Sequence, residues 1–199
     1  LKKLSVQKIN DRLREARIDL DHIASGGGGV WLFGSRAVGC ARRDSDWDLL
    51  VLTSSSVVED RQKCGNVDVI YVALRNLETW AASELAAHVE EYGVRLDTGS
   101  PIEINAKPAA AAGRKKALVA VRSRFLDRVW VALRPSQLRC ELLRLRRNAH
   151  RGWLLAEGSG VPPTALLDNA WSMASNPERA AILGSCQMAP RVYDACLAL

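Results

Sequence analysis

The sequence predicts an α+β protein: a small β-sheet covered by helices in the first half, then an all-helical C-terminal region. Three observations lead there. Short apolar runs of strand length, at residues 30–33, 49–52 and 67–72, are set off by Gly, Asp and Ser. Segments with apolar residues at helical spacing flank these runs. Beyond residue 107 the strand-like runs stop, and leucines recur at helical spacing among arginines. The expected division is 1–106 for the sheet domain and 107–199 for a helical region that binds substrate or partner.

Taken in order, residues 5–20 form an amphipathic helix, with Ile9, Leu13, Ala16 and Leu20 on one face and Lys8, Arg12, Arg14 and Arg17 around them. The glycines at 26–29 read as a flexible connector, since no Lys-Ser/Thr follows to make a phosphate loop of them. Residues 30–33 are the first strand. A short helix opens after Gly34-Ser35 and exits at Gly39, and Asp44-Ser45 make the turn into the second strand. Trp47 alternates to the opposite face from Asp46 and Asp48, where it packs under a helix. Residues 53–65 are polar and read as a connection, 67–72 as the third strand. Residues 76–91 form one helix with Leu77, Trp80, Ala81, Leu85 and His88 on a broad face, and 92–97 a short closing strand, with the core ending at 98–101.

Composition narrows the class. A chain of 199 residues can bury a substantial core. No stretch approaches the roughly 18 apolar residues that a membrane span needs, and no signal-peptide pattern is present. The five cysteines are scattered and never in CxxC spacing, against both a disulfide framework and a zinc site and in favour of a reducing cytoplasm. His22, His88 and His150 lie too far apart in sequence for a local metal motif and read as surface or packing residues.

The chemistry concentrates at residues 34–52, GSRAVGCARRDSDWDLLVL. Asp46 and Asp48, at i and i+2 where an apolar strand begins, share one face of the sheet. Two carboxylates so placed repel each other and raise each other's pKa unless a cation lies between them. Oxygen-only ligands favour a hard ion such as Mg²⁺ together with substrate phosphates. Gly34 lets the backbone approach an anion, and a helix opening at Ser35 aims N–H groups at it. A nucleoside triphosphate site follows. Arg36, Arg42 and Arg43 are either nucleotide contacts or a solvated loop.

Gly-Ser-x-Ala-x-Gly, a polar connector, Ser-Asp-x-Asp-Leu-Leu-Val and a later Asp68 within Val-Asp-Val-Ile-Tyr-Val resemble the signature of the DNA polymerase β-type nucleotidyltransferase superfamily, in particular its minimal bacterial domains. The resemblance spans about residues 30–97. It implies a small mixed sheet covered by helices, with Asp46, Asp48 and Asp68 as catalytic residues and ligands of two Mg²⁺ ions, and Gly34, Ser35 and Arg36 as nucleotide contacts. It further implies transfer of a nucleoside monophosphate, AMP from ATP in the first instance, to an acceptor hydroxyl with release of pyrophosphate, Asp68 taking the hydroxyl proton. Many relatives carry a second arginine where this chain has Val38, which removes one phosphate or acceptor contact. Relatives modify proteins, aminoglycosides or RNA 3′ ends. An idle nucleotidyltransferase fold serving as an antitoxin-like protein- or nucleic-acid-binding module is the alternative, and the retained acid trio speaks against it.

The helical region carries an uneven charge. Residues 114–151 hold twelve basic side chains against two acidic ones, a local net charge of +10 in a chain of +6. Leu118, Val121, Phe125, Val129 and Leu133 set one helix, broken at Pro135, and Leu138, Leu142, Leu145 and Ala149 set the next. These basic helices either meet an anionic substrate or partner or form a solvated face with salt bridges. Aromatic residues are too sparse among them for a base-stacking platform. Short helices at 164–175 and 177–183 and an apolar tail at 192–199 complete the chain.

Overall fold

A computed structural model describes residues 3–23, 27–54, 59–97 and 102–199. The chain divides into two compact units, Leu1–Lys107 and Pro108–Leu199. Among the described residues, no helix is long and apolar enough to cross a membrane.

The first unit is built on a five-stranded mixed sheet of β1 (Gly27–Phe33), β2 (Trp47–Thr53), β3 (Glu59–Cys64), β4 (Val67–Ala73) and β5 (Val94–Arg95), in the order β3-β4-β2-β1-β5. Only β2 and β4 run parallel. Alternation sorts the side chains. Val30, Leu32, Trp47, Leu49, Val51 and Val69 pack with Ile9 and Leu13 of α1 (Val6–Glu15) on one face. Trp31, Phe33, Leu50, Leu52 and Val72 pack on the other with Trp80, Ala86 and Val89. Those three come from α4 (Leu77–Trp80) and α5 (Glu84–Tyr92). Trp47 is buried under α1, as its alternation predicts.

Four readings of this half need correction. The first helix is capped by Ser5 and stops at Glu15, with a separate turn, α2, at Leu20–Ile23; Arg17, at φ 57°, breaks the run between them. The glycines 27–29 are strand, not connector. At Gly28 a Cβ would overlap the Leu52 carbonyl, and Gly29 has φ 139°, so only glycine passes so close to β2 where the register shifts. Residues 76–91 are two helices, because Ser83 caps a new one through its hydroxyl to the Ala86 N–H. The polar connection contains a whole strand, β3, at the edge of the sheet. It joins β4 through the two-residue turn Gly65-Asn66, with Gly65 at φ 60°. The expected core terminus at 98–101 lies outside the described residues.

The second unit packs α6 (Pro108–Val129), α7 (Pro135–Ala156), α8 (Thr164–Met173), α9 (Asn176–Gly184) and α10 (Pro190–Leu197) around Val119, Leu126, Leu142, Leu145, Trp171, Leu183 and Val192. The stretch 107–113 leads directly into helix: α6 starts at Pro108 and runs through Gly113. The face of α6 differs from the expected one. Leu118, Val121 and Phe125 are 40, 61 and 65% exposed, while Ala112, Val119, Ala120, Ser123 and Leu126 are buried. Small residues win this face because α6 and α7 lie close, and a Cβ at Gly152 of α7 would come within 3.2 Å of Lys116 Cγ.

Of the basic residues on α6 and α7, Arg122, Arg124, Arg128 and Arg139 are exposed. Arg146 and Arg147 instead turn onto Asp168 of α8, Arg146 Nη2 at 2.8 Å from Oδ1 and Arg147 Nε at 2.9 Å from the same oxygen. Arg146 is buried and also lies over the Trp171 ring. The hydrogen bond from Arg147 leads the effects that hold the Asp168 carboxyl below its ordinary range. A carboxyl so depressed stabilises the fold above its unfolded pKa, near 4, and loses that contribution as pH falls through its lower folded value. Asp168→Asn is therefore expected to cost roughly 2–3 kcal/mol at pH 7, since it strands a buried guanidinium. Urea unfolding followed by circular dichroism should show the gap between wild type and variant closing as pH falls below the carboxylate range.

Candidate active site

Parallel pairing of β2 with β4 sets Asp48 directly opposite Asp68, so both side chains leave the same face of neighbouring strands. Asp46 lies just before β2 and, two residues from Asp48, on that face as well. Sequence reasoning places these three together, and the register brings them together. Asp68 is 3% exposed. Asp48 is half-buried, and burial first, then the charges of Asp68 and Asp46, push its carboxyl up to about 6.

Two cations that sequence reasoning passed over stand beside the acids. Arg61 and Lys63 alternate on β3 onto the same face, Lys63 lying opposite Asp68 in the register. Arg61 is bidentate on Asp68: its Nε donates to Oδ1 at 2.8 Å and to Oδ2 at 3.2 Å, and its Nη2 donates to Oδ2. That hydrogen-bonded guanidinium holds Asp68 below the usual carboxylate range despite its burial. Lys63 Nζ donates to Asp46 Oδ2 at 2.7 Å. Asp48 makes no salt bridge among the described residues. The signal for this pair was present, in Arg and Lys two apart just before a Gly-Asn turn of hairpin length.

Gly34 closes the other side of the site. It has φ 72°, and a Cβ there would overlap Asp48 Oδ2. Its N–H donates to His88 Nε2 at 3.1 Å, which puts the proton of the neutral ring on Nδ1. His88 lies edge-on to Phe33 and tilted against Tyr92. A residue expected only to pack thus also holds the turn where strand becomes helix. Ser35 and Arg36 follow in α3 (Gly34–Ala37), and Gly39, at φ 74°, ends it. Arg36 donates through Nε to the Ser45 and Asp46 carbonyls, each at 3.1 Å, and its guanidinium stacks 4.3 Å from the centre of the Trp47 ring. It pins the loop that presents Asp46. Arg42 and Arg43 are exposed in that loop.

Among the described residues, no three His, Cys, Asp or Glu side chains are gathered as a ready metal-binding group. The donor set still suits a hard divalent ion: three carboxylates on one face, one of them desolvated and without a salt bridge.

A Gly-Ser turn thus stands against paired acids at the starts of neighbouring strands. The nucleotidyltransferase domain model matches residues 11–113, more than half of the chain, and the chain belongs to that family and is a nucleotidyltransferase. Among solved structures it is similar to a nucleotidyltransferase-like protein from Exiguobacterium sibiricum, at 12% identity and a TM-score of 0.41, over 93% of this chain and 74% of that one. No curated protein matches it.

Gly34→Ala is expected to cost about 1–2 kcal/mol for the left-handed backbone alone and to push Asp48 out of place. A thermal melt read beside nucleotide binding should show binding lost by more than the fall in stability explains.

Proposed function

We propose that the enzyme transfers AMP from ATP to an acceptor hydroxyl with release of pyrophosphate, and that Asp46, Asp48 and Asp68 hold two Mg²⁺ ions. The carrying observation is the in-register facing of Asp48 and Asp68 beside Gly34, whose bare backbone meets the Asp48 carboxylate. When bound, the ions offset triphosphate charge and lower the pKa of the attacking hydroxyl. Gly34 and Ser35 approach the β- and γ-phosphates from the turn, and Arg36 contributes by holding Asp46 in its loop. The acceptor oxygen bonds to the α-phosphorus as the bond to the β-bridging oxygen breaks, and pyrophosphate departs. Asp68 receives the hydroxyl proton. With Arg61 on both its oxygens it is a poor base, so this role requires Arg61 to move.

The helical unit is the proposed acceptor or partner side. Its exposed arginines on α6 and α7 suit an anionic surface, whether of a protein, a small molecule or an RNA end. Five free cysteines suit a reducing compartment, and we place the reaction in the cytoplasm.

Asp46→Asn and Asp48→Asn are each expected to abolish pyrophosphate release from ATP·Mg²⁺ while circular dichroism stays that of the wild type. Calorimetric titration of the four nucleoside triphosphates should give Mg²⁺-dependent binding, tightest for ATP, that either substitution removes. Full turnover in either variant would refute the assignment.

A further inference from the structure

On β3, Arg61 and Lys63 occupy two of the three acids of the proposed reaction. We propose that Arg61 and Lys63 are resident counter-cations of the acid cluster, which a divalent ion must displace before it can bind. The proposal rests on the reading of Asp46, Asp48 and Asp68 as metal ligands.

The geometry carries it. Arg61 covers both oxygens of Asp68 and Lys63 covers one of Asp46, so an ion approaching either acid meets a positive charge already in contact with it. The two partners differ sharply in exposure. The Asp68 side chain is 4% exposed and the Arg61 side chain 68%; the Lys63 side chain is 54% exposed. The acid stays fixed in the sheet, while each cation arrives from solvent and can return to it once an ion takes its place beside the acid. Both stand on an edge strand with one neighbour, β4. The count of charges agrees: three carboxylates facing two cations are nearly balanced, and a divalent ion added without release would leave the cluster positive. Arms and ion therefore compete for the acids, and linkage makes each weaken the other. A sheet-bracing salt bridge alone would have no such effect on ion affinity.

The test uses Mn²⁺ as the probe, titrated into the full chain without nucleotide and followed by the electron paramagnetic resonance of the free ion. Arg61→Met is expected to tighten Mn²⁺ binding by roughly fivefold or more. Arg61→Lys, which keeps the charge but loses the bidentate fork, should fall between it and the wild type. Lys63→Met should tighten binding to a smaller degree, and it carries the test if Arg61→Met does not fold by circular dichroism. Asp48→Asn reports whether the ion sits at the acids. If Asp48→Asn removes Mn²⁺ binding while the β3 variants bind it no more tightly than the wild type, the counter-cation role is overturned and the metal site stands. If Mn²⁺ does not bind, or binds regardless of Asp48→Asn, the metal-site reading fails and the proposal falls with it.

Discussion

Everything at the acidic end of the sheet follows from one pairing. β2 and β4 run parallel with Asp48 facing Asp68, strands about 4.8 Å apart. Carboxylates set on neighbouring strands and partly withdrawn from water repel each other in a medium that screens poorly. The neighbouring residues answer that repulsion. The chain enters α3 through a residue with no side chain, because Asp48 fills the space where one would go. The adjoining edge strand turns positive groups inward, and the loop before β2 is clamped by a guanidinium stacked on a buried indole.

Burial does not rank the acids by acidity. Asp68 is the more buried, yet its carboxyl is held low, because a forked donor satisfies both oxygens. Asp48 is more open, yet burial first and then the negative charges of Asp68 and Asp46 push its carboxyl up to about 6. Partner geometry outweighs desolvation at one site and is missing at the other. The same rule operates in the helical unit, where two guanidinium groups share one aspartate and neither is left alone in the core.

The interior strands were legible because their hydrophobic alternation is strong; period two puts Asp46 and Asp48 on a common face, and the family resemblance points to Asp68 on a neighbouring strand. β3 was not, because an edge strand has little to bury: Arg61-Gln62-Lys63 reads as solvent-exposed loop unless the Gly65-Asn66 turn is weighed first. The break at Ser83 hid because the residues around it keep helical spacing across it. The face of α6 was misassigned for an opposite reason. Leu118, Val121 and Phe125 outweigh alanine and serine in hydrophobicity, but close helix contact selects for small size. His88 at the Gly34 amide is a tertiary contact across 54 positions, which no local pattern announces.

The division of labour between inner and outer strands has a consequence for how such a cleft can diverge. Asp48 and Asp68 sit where β2 and β4 are each paired on both sides, in the middle of the sheet. The positive side chains sit on the margin, each more than half exposed. Exchanging them resets the charge of the cleft. The charge of the cleft can therefore drift by changes at its periphery, while the acids stay anchored within.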